Sequence, residues 1–132
     1  MQKFKVAKLV RDKIAQRMIA DENASYKVLN DEEYITELKK KVLEEAKELV
    51  LRRNKSNILK ELADIQEIID LIIKALKSSK KELKIKQKRK KKGKNWGGFK
   101  KRLYVKSIEL GDDHPWLDYY LKNPEKYPKI KK

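Results

Sequence analysis

Two pairs of acidic residues with the same spacing constrain the fold of this chain more than any other sequence feature. Glu45 and Glu48 lie three residues apart, and Glu61 and Asp64 repeat that spacing after the polar stretch at residues 54–57. Residues three apart share one face of a helix. Two helices joined by a short turn run antiparallel. The pattern therefore predicts a helix hairpin that can bring the four carboxylates together.

The acids interrupt the apolar pattern of both predicted helices. In the first helix, expected at 31–53, Glu45 occupies a position that the period assigns to the core. In the second, expected at 57–77, a row that begins with Glu61 and Asp64 continues with apolar residues. Carboxylates about 6 Å apart repel by about 3 kcal/mol at an effective dielectric constant of about 20. A hard divalent cation, Mg²⁺ or alternatively Mn²⁺, relieves that repulsion, so the pattern indicates a metal site.

The alternative is a solvated edge at which the acids pair with basic side chains. Lys41, Lys47, Lys60 and Arg52 are the candidates for such pairs. The doubled acid spacing and the interrupted apolar stripes favour the metal site over this alternative.

The acid pairs and two flanking motifs resemble one protein family. Glu45-x-x-Glu48 and Glu61-x-x-Asp64 resemble the acid motif of the MazG-like, all-α nucleoside triphosphate pyrophosphohydrolases, which include the phosphoribosyl-ATP pyrophosphohydrolases. Residues 8–14, KLVRDKI, are similar to the opening of one branch, and residues 97–102, GGFKKR, to its ending. The resemblance covers about residues 8–105. It departs at Ala15, where the branch has proline, and at Trp96, where an arginine precedes the glycines, so a phosphate contact is not transferred to Trp96.

The resemblance implies an Mg²⁺-dependent nucleoside triphosphate pyrophosphohydrolase with a house-cleaning role. Water held by a carboxylate or by the metal would attack the α-phosphorus and release nucleoside monophosphate and pyrophosphate. The expected catalytic and metal-binding residues are the four acids Glu45, Glu48, Glu61 and Asp64. The expected substrate-binding residues include cations that neutralise the leaving pyrophosphate and a glycine pair that permits close backbone approach: Lys8, Arg11, Lys13, Lys92, Gly97, Gly98, Phe99, Lys101 and Arg102.

The fold class expected from these patterns is an all-α, MazG-like helical bundle. The second helix is apolar over more than half of its circumference, which predicts a homodimer or higher homo-oligomer whose helix pairs complete a four-helix core. A capping box at Ser79 and Glu82 predicts a third helix at 80–92, and a short helix is expected at 116–121. In addition, residues 4–10 are expected to form a short strand or an extended arm, and residues 102–110 a short strand.

The formal charge of +16 is concentrated in one segment. From Lys74 to Lys106 the chain has sixteen basic residues and one acidic residue, Glu82. Such a segment favours a polyanionic partner. The alternative function is therefore a basic nucleic-acid-binding protein on the same scaffold, with an electrostatic and sequence-independent grip.

Length and composition bound the remaining possibilities. The 132 residues are expected to form a MazG-like domain at 1–108 and a C-terminal helical appendage at 109–132. The absence of cysteine excludes disulfides and thiolate metal sites. No apolar run reaches the roughly 18 residues of a membrane span, and the first residues lack a signal-peptide core. We expect a cytoplasmic protein without a membrane partner.

Overall fold

The computed structural model describes residues 1–93 and 97–131 of the chain. All regular secondary structure in these residues is helical, which confirms the predicted all-α class. Trp96, on which one departure from the family pattern falls, lies outside the described residues. The helices are α1 (Asp12–Asp21), α2 (Asp31–Leu51), α3 (Lys55–Ala75), α4 (Lys80–Lys92) and α5 (Leu117–Lys122).

Side-chain caps fix the start of both long helices. At α2, the Asn30 side chain accepts from the Glu33 backbone N–H (2.9 Å), and the Glu33 carboxylate accepts from the Asn30 N–H (3.2 Å), which completes a capping box. At α3, the Asn54 side chain accepts from the Asn57 N–H (2.9 Å). Helix α3 therefore begins two residues earlier than predicted and α2 ends two residues earlier, at Leu51. Only residues 52–54 connect the two helices.

Helices α2 and α3 pack against each other as the predicted hairpin. Among the described residues, the buried apolar side chains are Leu38 on α2, 1% exposed, and Ile68 on α3, 8% exposed. The one buried charged side chain in the same set is Glu61, 3% exposed. A single chain thus has a very small apolar core, with a carboxylate beside it.

The short strands expected at the two ends do not form. Residues 4–10 and 102–110 have no strand in the structure. A strand requires a neighbour that exchanges backbone hydrogen bonds with it, and neither segment has one among the described residues. Phe4 and Tyr104 accordingly are 78% and 87% exposed. Helix α4 has the predicted bounds, whereas α5 begins one residue later than predicted.

Internal contacts divide the chain into two units, Met1–Lys91 and Lys92–Lys132. The first unit contains α1, α2, α3 and nearly all of α4. The second contains α5, whose Tyr120 ring stacks on Tyr127 with 4.1 Å between ring centroids. None of the helices in residues 1–93 and 97–131 has the length and apolar character needed to cross a membrane.

Candidate metal centre

Three of the four predicted acids converge between α2 and α3. One carboxylate oxygen from each of Glu45, Glu61 and Asp64 lies within 4.8 Å of the others. Glu45 is six residues before the end of α2 and Glu61 is six residues after the start of α3, so the two are level in an antiparallel hairpin. Side chains lean toward the N-terminus of their helix, which tilts Asp64 toward the turn and into the same space. We call these three residues the acid cluster.

Two oxygens of the acid cluster are buried without a hydrogen-bond donor. They are Glu45 Oε2 and Glu61 Oε2, and neither has a partner among the described residues when both carboxylates are ionised. An unsatisfied buried charged group costs more than about 1–3 kcal/mol. The hairpin therefore presents two acceptor atoms, one from each helix, that a cation would satisfy.

The proton affinity of the acid cluster is strongly perturbed. Burial, a hydrogen bond with Glu61 and the charges of Glu48, Glu61 and Asp64 raise the pKa of Glu45 to about 7. Burial opposes ionisation of Glu61, but hydrogen bonds from protonated Glu45 and from Arg52 outweigh it and lower the Glu61 pKa. Near neutral pH, a proton between Glu45 and Glu61 thus provides part of the positive charge that the cluster lacks. Glu48, the fourth predicted acid, is outside the cluster but close enough to act on it.

Two arginines neutralise two of the three clustered carboxylates. Arg52 Nε donates to Glu61 Oε1 (3.1 Å) from the residue that follows α2. Arg11, immediately before α1, donates from Nη2 to Asp64 Oδ1 (3.0 Å) and from Nη1 to Glu67 Oε1 (3.0 Å). Glu45 makes no ion pair with any residue that the structure describes. Glu45 is therefore the acid of the cluster that no basic side chain pairs with.

Of the remaining predicted cations of the first unit, Lys8 lies near the acid cluster and Lys13 does not. Lys8 Nζ contacts Glu44 Oε1 (2.9 Å), while Lys41 Nζ contacts Glu44 Oε2 (3.1 Å). The hydrogen bonds from Lys8 and Lys41 lower the pKa of Glu44. Lys13 is exposed on α1 and has no ion pair within the described ranges. Lys8 thus reaches the residue next to Glu45, whereas Lys13 contacts none of the acids.

Only some of the ion pairs expected for the solvated-edge alternative form. Of its four candidate partners, Arg52 pairs with the acid cluster and Lys41 pairs with the neighbouring Glu44. Lys47 and Lys60 are exposed and form no ion pair in the described part of the chain. Pairing with basic side chains thus leaves Glu45 uncompensated.

The other predicted substrate-binding residues belong to the second unit. Gly97 has a φ of 77°, a left-handed conformation that favours glycine. The Arg102 N–H donates to the Phe99 carbonyl (3.2 Å), which closes a turn, and the Phe99 side chain is 97% exposed. A role in substrate binding stays a prediction for these residues and for the rest of the set, Lys92, Gly98 and Lys101.

The sequence interpretation missed two residues that contact or flank the acid cluster, Glu67 and Glu44. Glu67 continues the three-residue spacing of Glu61 and Asp64, and that continuation is the signal that would have found it. Glu44 precedes Glu45 directly, but no sequence signal pairs it with Lys8, 36 residues away. Arg52, by contrast, is a predicted candidate ion-pair partner of the acids, and the structure pairs it with Glu61.

Comparison of the chain with protein-family models, with curated proteins and with solved structures found no match in any of the three.

Proposed function

We propose that this protein is an Mg²⁺-dependent nucleoside triphosphate pyrophosphohydrolase. The observation that carries the proposal is the acid cluster, in which carboxylates from two helices converge and two buried oxygens have no donor. The KLVRDKI and GGF motifs, which resemble those of the MazG-like enzymes, support the same function. A cytoplasmic house-cleaning role on nucleoside triphosphates is part of this proposal.

The acid cluster fits a hard divalent cation better than it fits a network of ion pairs. Glu45, Glu61 and Asp64, with Glu48 beside them, offer only oxygen ligands, which Mg²⁺ and Mn²⁺ prefer. When bound, such an ion polarises phosphoryl oxygens and offsets the charge of the triphosphate. The ion would interact with the buried oxygens of Glu45 and Glu61, which have no hydrogen-bond donor.

The protein's own residues supply the remaining parts of the reaction. The oxygen of a water molecule forms a bond to the α-phosphorus, the bond to the bridging oxygen breaks, and pyrophosphate leaves. A carboxylate of the acid cluster or the metal would hold the attacking water, and a carboxylate would take its proton. Arg11 already lies at the acid cluster, and its planar guanidinium matches phosphate oxygens. The family resemblance alone assigns Lys92, Lys101 and Arg102 to the leaving group.

The active species in this proposal is a homodimer. Helix α3 has a second apolar face, formed by Leu62, Ile69, Ile73 and Leu76, and none of these four residues is buried. On that face Leu62 is 44% and Leu76 59% exposed. The very small core of one chain adds to the argument, because a domain of this size normally buries most of its apolar side chains. A second copy would cover this face and complete a four-helix core.

Pyrophosphate release from a panel of nucleoside triphosphates with Mg²⁺ tests the function. We expect turnover in the wild type and a loss of more than about 100-fold in the double variant Glu48→Gln with Glu61→Gln. The matched control is Glu22→Gln with Glu32→Gln, which removes the same charge from two exposed positions outside the acid cluster.

Two outcomes would contradict the proposal: one concerns the role of the acids, and the other concerns the enzymatic function. Undiminished turnover in the Glu48→Gln, Glu61→Gln variant would show that the acids are assigned the wrong role. Lack of turnover of every nucleotide by folded wild-type protein would refute the enzymatic function itself.

A further inference from the structure

Helix α4 carries the densest charge of the chain and packs against little. Nine of its thirteen residues are basic, and none is buried. At 3.6 residues per turn, five lysines fall within about a third of the helix circumference. These five residues, Lys80, Lys81, Lys84, Lys88 and Lys91, form what we call the lysine face. They line one side of a 13-residue helix that is exposed along its whole length.

Most of the lysine face has no acidic partner among residues 1–93 and 97–131. Lys80 has one distant ion pair, 3.7 Å from Asp70 Oδ2. Lys81, Lys84 and Lys88 form none with the described residues. Like charges four residues apart destabilise a helix by about 0.2–0.5 kcal/mol per pair. The helix therefore maintains a repulsive arrangement that an external anion would relieve.

A side-chain cap fixes the start of α4, although none of the residues of this helix is buried. The Ser79 side chain accepts from the Glu82 backbone N–H (3.2 Å), and the Ser78 hydroxyl donates to the Glu82 carboxylate. This cap fixes the residue at which α4 begins. The lysine face is thus presented on a defined helix instead of on an unstructured tail.

The residue types in α4 favour one class of anionic partner over the others. Leu83 and Ile85 are its only large apolar residues, too few for the apolar face by which amphipathic helices enter a membrane. The helix has no aromatic residue, and therefore lacks the stacking platform typical of single-strand binding. What remains is a row of point charges about 16 Å long from Lys80 to Lys91. Duplex nucleic acid, with one phosphate charge per roughly 1.7 Å of axis, is the polyanion of highest charge density that such a row fits.

We infer that the lysine face of α4 binds the phosphate backbone of double-stranded nucleic acid without reading its sequence. This inference does not depend on the proposed pyrophosphohydrolase activity, because it uses none of the residues assigned to that reaction. Five lysine–phosphate contacts give a slope of about −4.5 for log K against log [salt]. Affinity then falls by about 500-fold between about 50 mM and about 200 mM salt.

Fluorescence anisotropy with a labelled duplex of about 20 base pairs, without Mg²⁺ or nucleotide, tests the inference. The variant Lys84→Gln, Lys88→Gln, Lys91→Gln should reduce the salt slope to about −2 and weaken binding at about 50 mM salt by at least tenfold. The control Lys39→Gln, Lys47→Gln, Lys60→Gln removes the same charge from exposed positions of α2 and α3 and should bind within about twofold of wild type. Far-UV circular dichroism and urea unfolding confirm that both variants fold.

Three results would overturn the inference. The first is equal weakening by the two triple variants, since net charge and not the lysine face would then determine binding. The second is tighter binding to a single strand of the same length than to the duplex. The third is binding to phosphatidylserine vesicles with no binding to duplex. Pyrophosphate release by the same variants reports separately on the proposed enzyme.

Discussion

Replacing Glu45 by glutamine should stabilise the metal-free protein at about pH 8 and have little effect at about pH 5. Glutamine retains the size of the side chain and removes the charge that faces Glu48, Glu61 and Asp64. Its amide can also donate to the carboxylate oxygen of Glu61 that has no partner. The substitution therefore mimics a permanently protonated Glu45.

The size of the effect follows from the two pKa values of Glu45. Its carboxyl titrates at the ordinary value of 4.5 in the unfolded chain and at about 7 in the folded chain. The folded state binds the extra proton between these values, so stability falls as the pH rises through this window and stays low above it. At 1.36 kcal/mol per pKa unit, the difference is about 3 kcal/mol. Because Glu45 keeps some contact with water, which screens its charge, we expect about 1–2 kcal/mol.

Urea unfolding followed by circular dichroism, with a chelator present, measures this difference at about pH 5 and about pH 8. Glu44→Gln is the matched control at the adjacent position. Glu44 pairs with Lys8 and Lys41, which lower its pKa. Its substitution should therefore destabilise the protein at about pH 8, whereas Glu45→Gln stabilises it. A destabilising Glu45→Gln at that pH, or wild-type stability that does not fall between the two pH values, would refute the reasoning.

Four further predictions concern the same hairpin. Mg²⁺ at about 100 times its dissociation constant should stabilise the wild type by about 2.7 kcal/mol and leave Glu61→Gln unaffected in differential scanning fluorimetry. A displaced proton should appear in calorimetry as a dependence of the binding heat on buffer; a buffer-independent heat near pH 7 would contradict the raised Glu45 pKa. Arg52→Gln should lower the melting temperature, because it removes the donor of a carboxylate that is 3% exposed; an unchanged melting temperature would show that water replaces the guanidinium. Leu62→Glu should shift the mass measured by light scattering from dimer to monomer, with the exposed Lys60→Glu as control; a wild-type monomer at all concentrations would rule out the dimer.

Local patterns predicted the hairpin because the forces that form it are local. The capping box at Asn30 and Glu33 and the acid spacing on α2 and α3 involve residues within one or two turns of each other. The start of α3 was harder to predict, because Asn54 and Asn57 are equally suitable caps by residue type. The structure places the cap at Asn54, whose side chain accepts from Asn57.

The cations around the acid cluster could not be predicted with the same certainty. Arg11 reaches Asp64 across 53 residues of sequence and Lys8 reaches Glu44 across 36. Such contacts depend on where the segment before α1 lies, and side-chain periodicity does not encode that position. The strands expected at the ends of the chain were wrong for a related reason, since alternation marks an extended segment but does not provide the neighbour with which it must pair.

The three-residue connection between α2 and α3 also has a kinetic consequence. It makes the contacts of the hairpin short in sequence, and chains rich in such contacts fold quickly. Formation of the hairpin also brings Glu45 and Asp64 together, so their repulsion opposes this step. We expect refolding to be faster in mild acid, or with magnesium present, than in metal-free alkaline buffer. Mg²⁺, which we propose as the ligand of the folded protein, would then also accelerate folding.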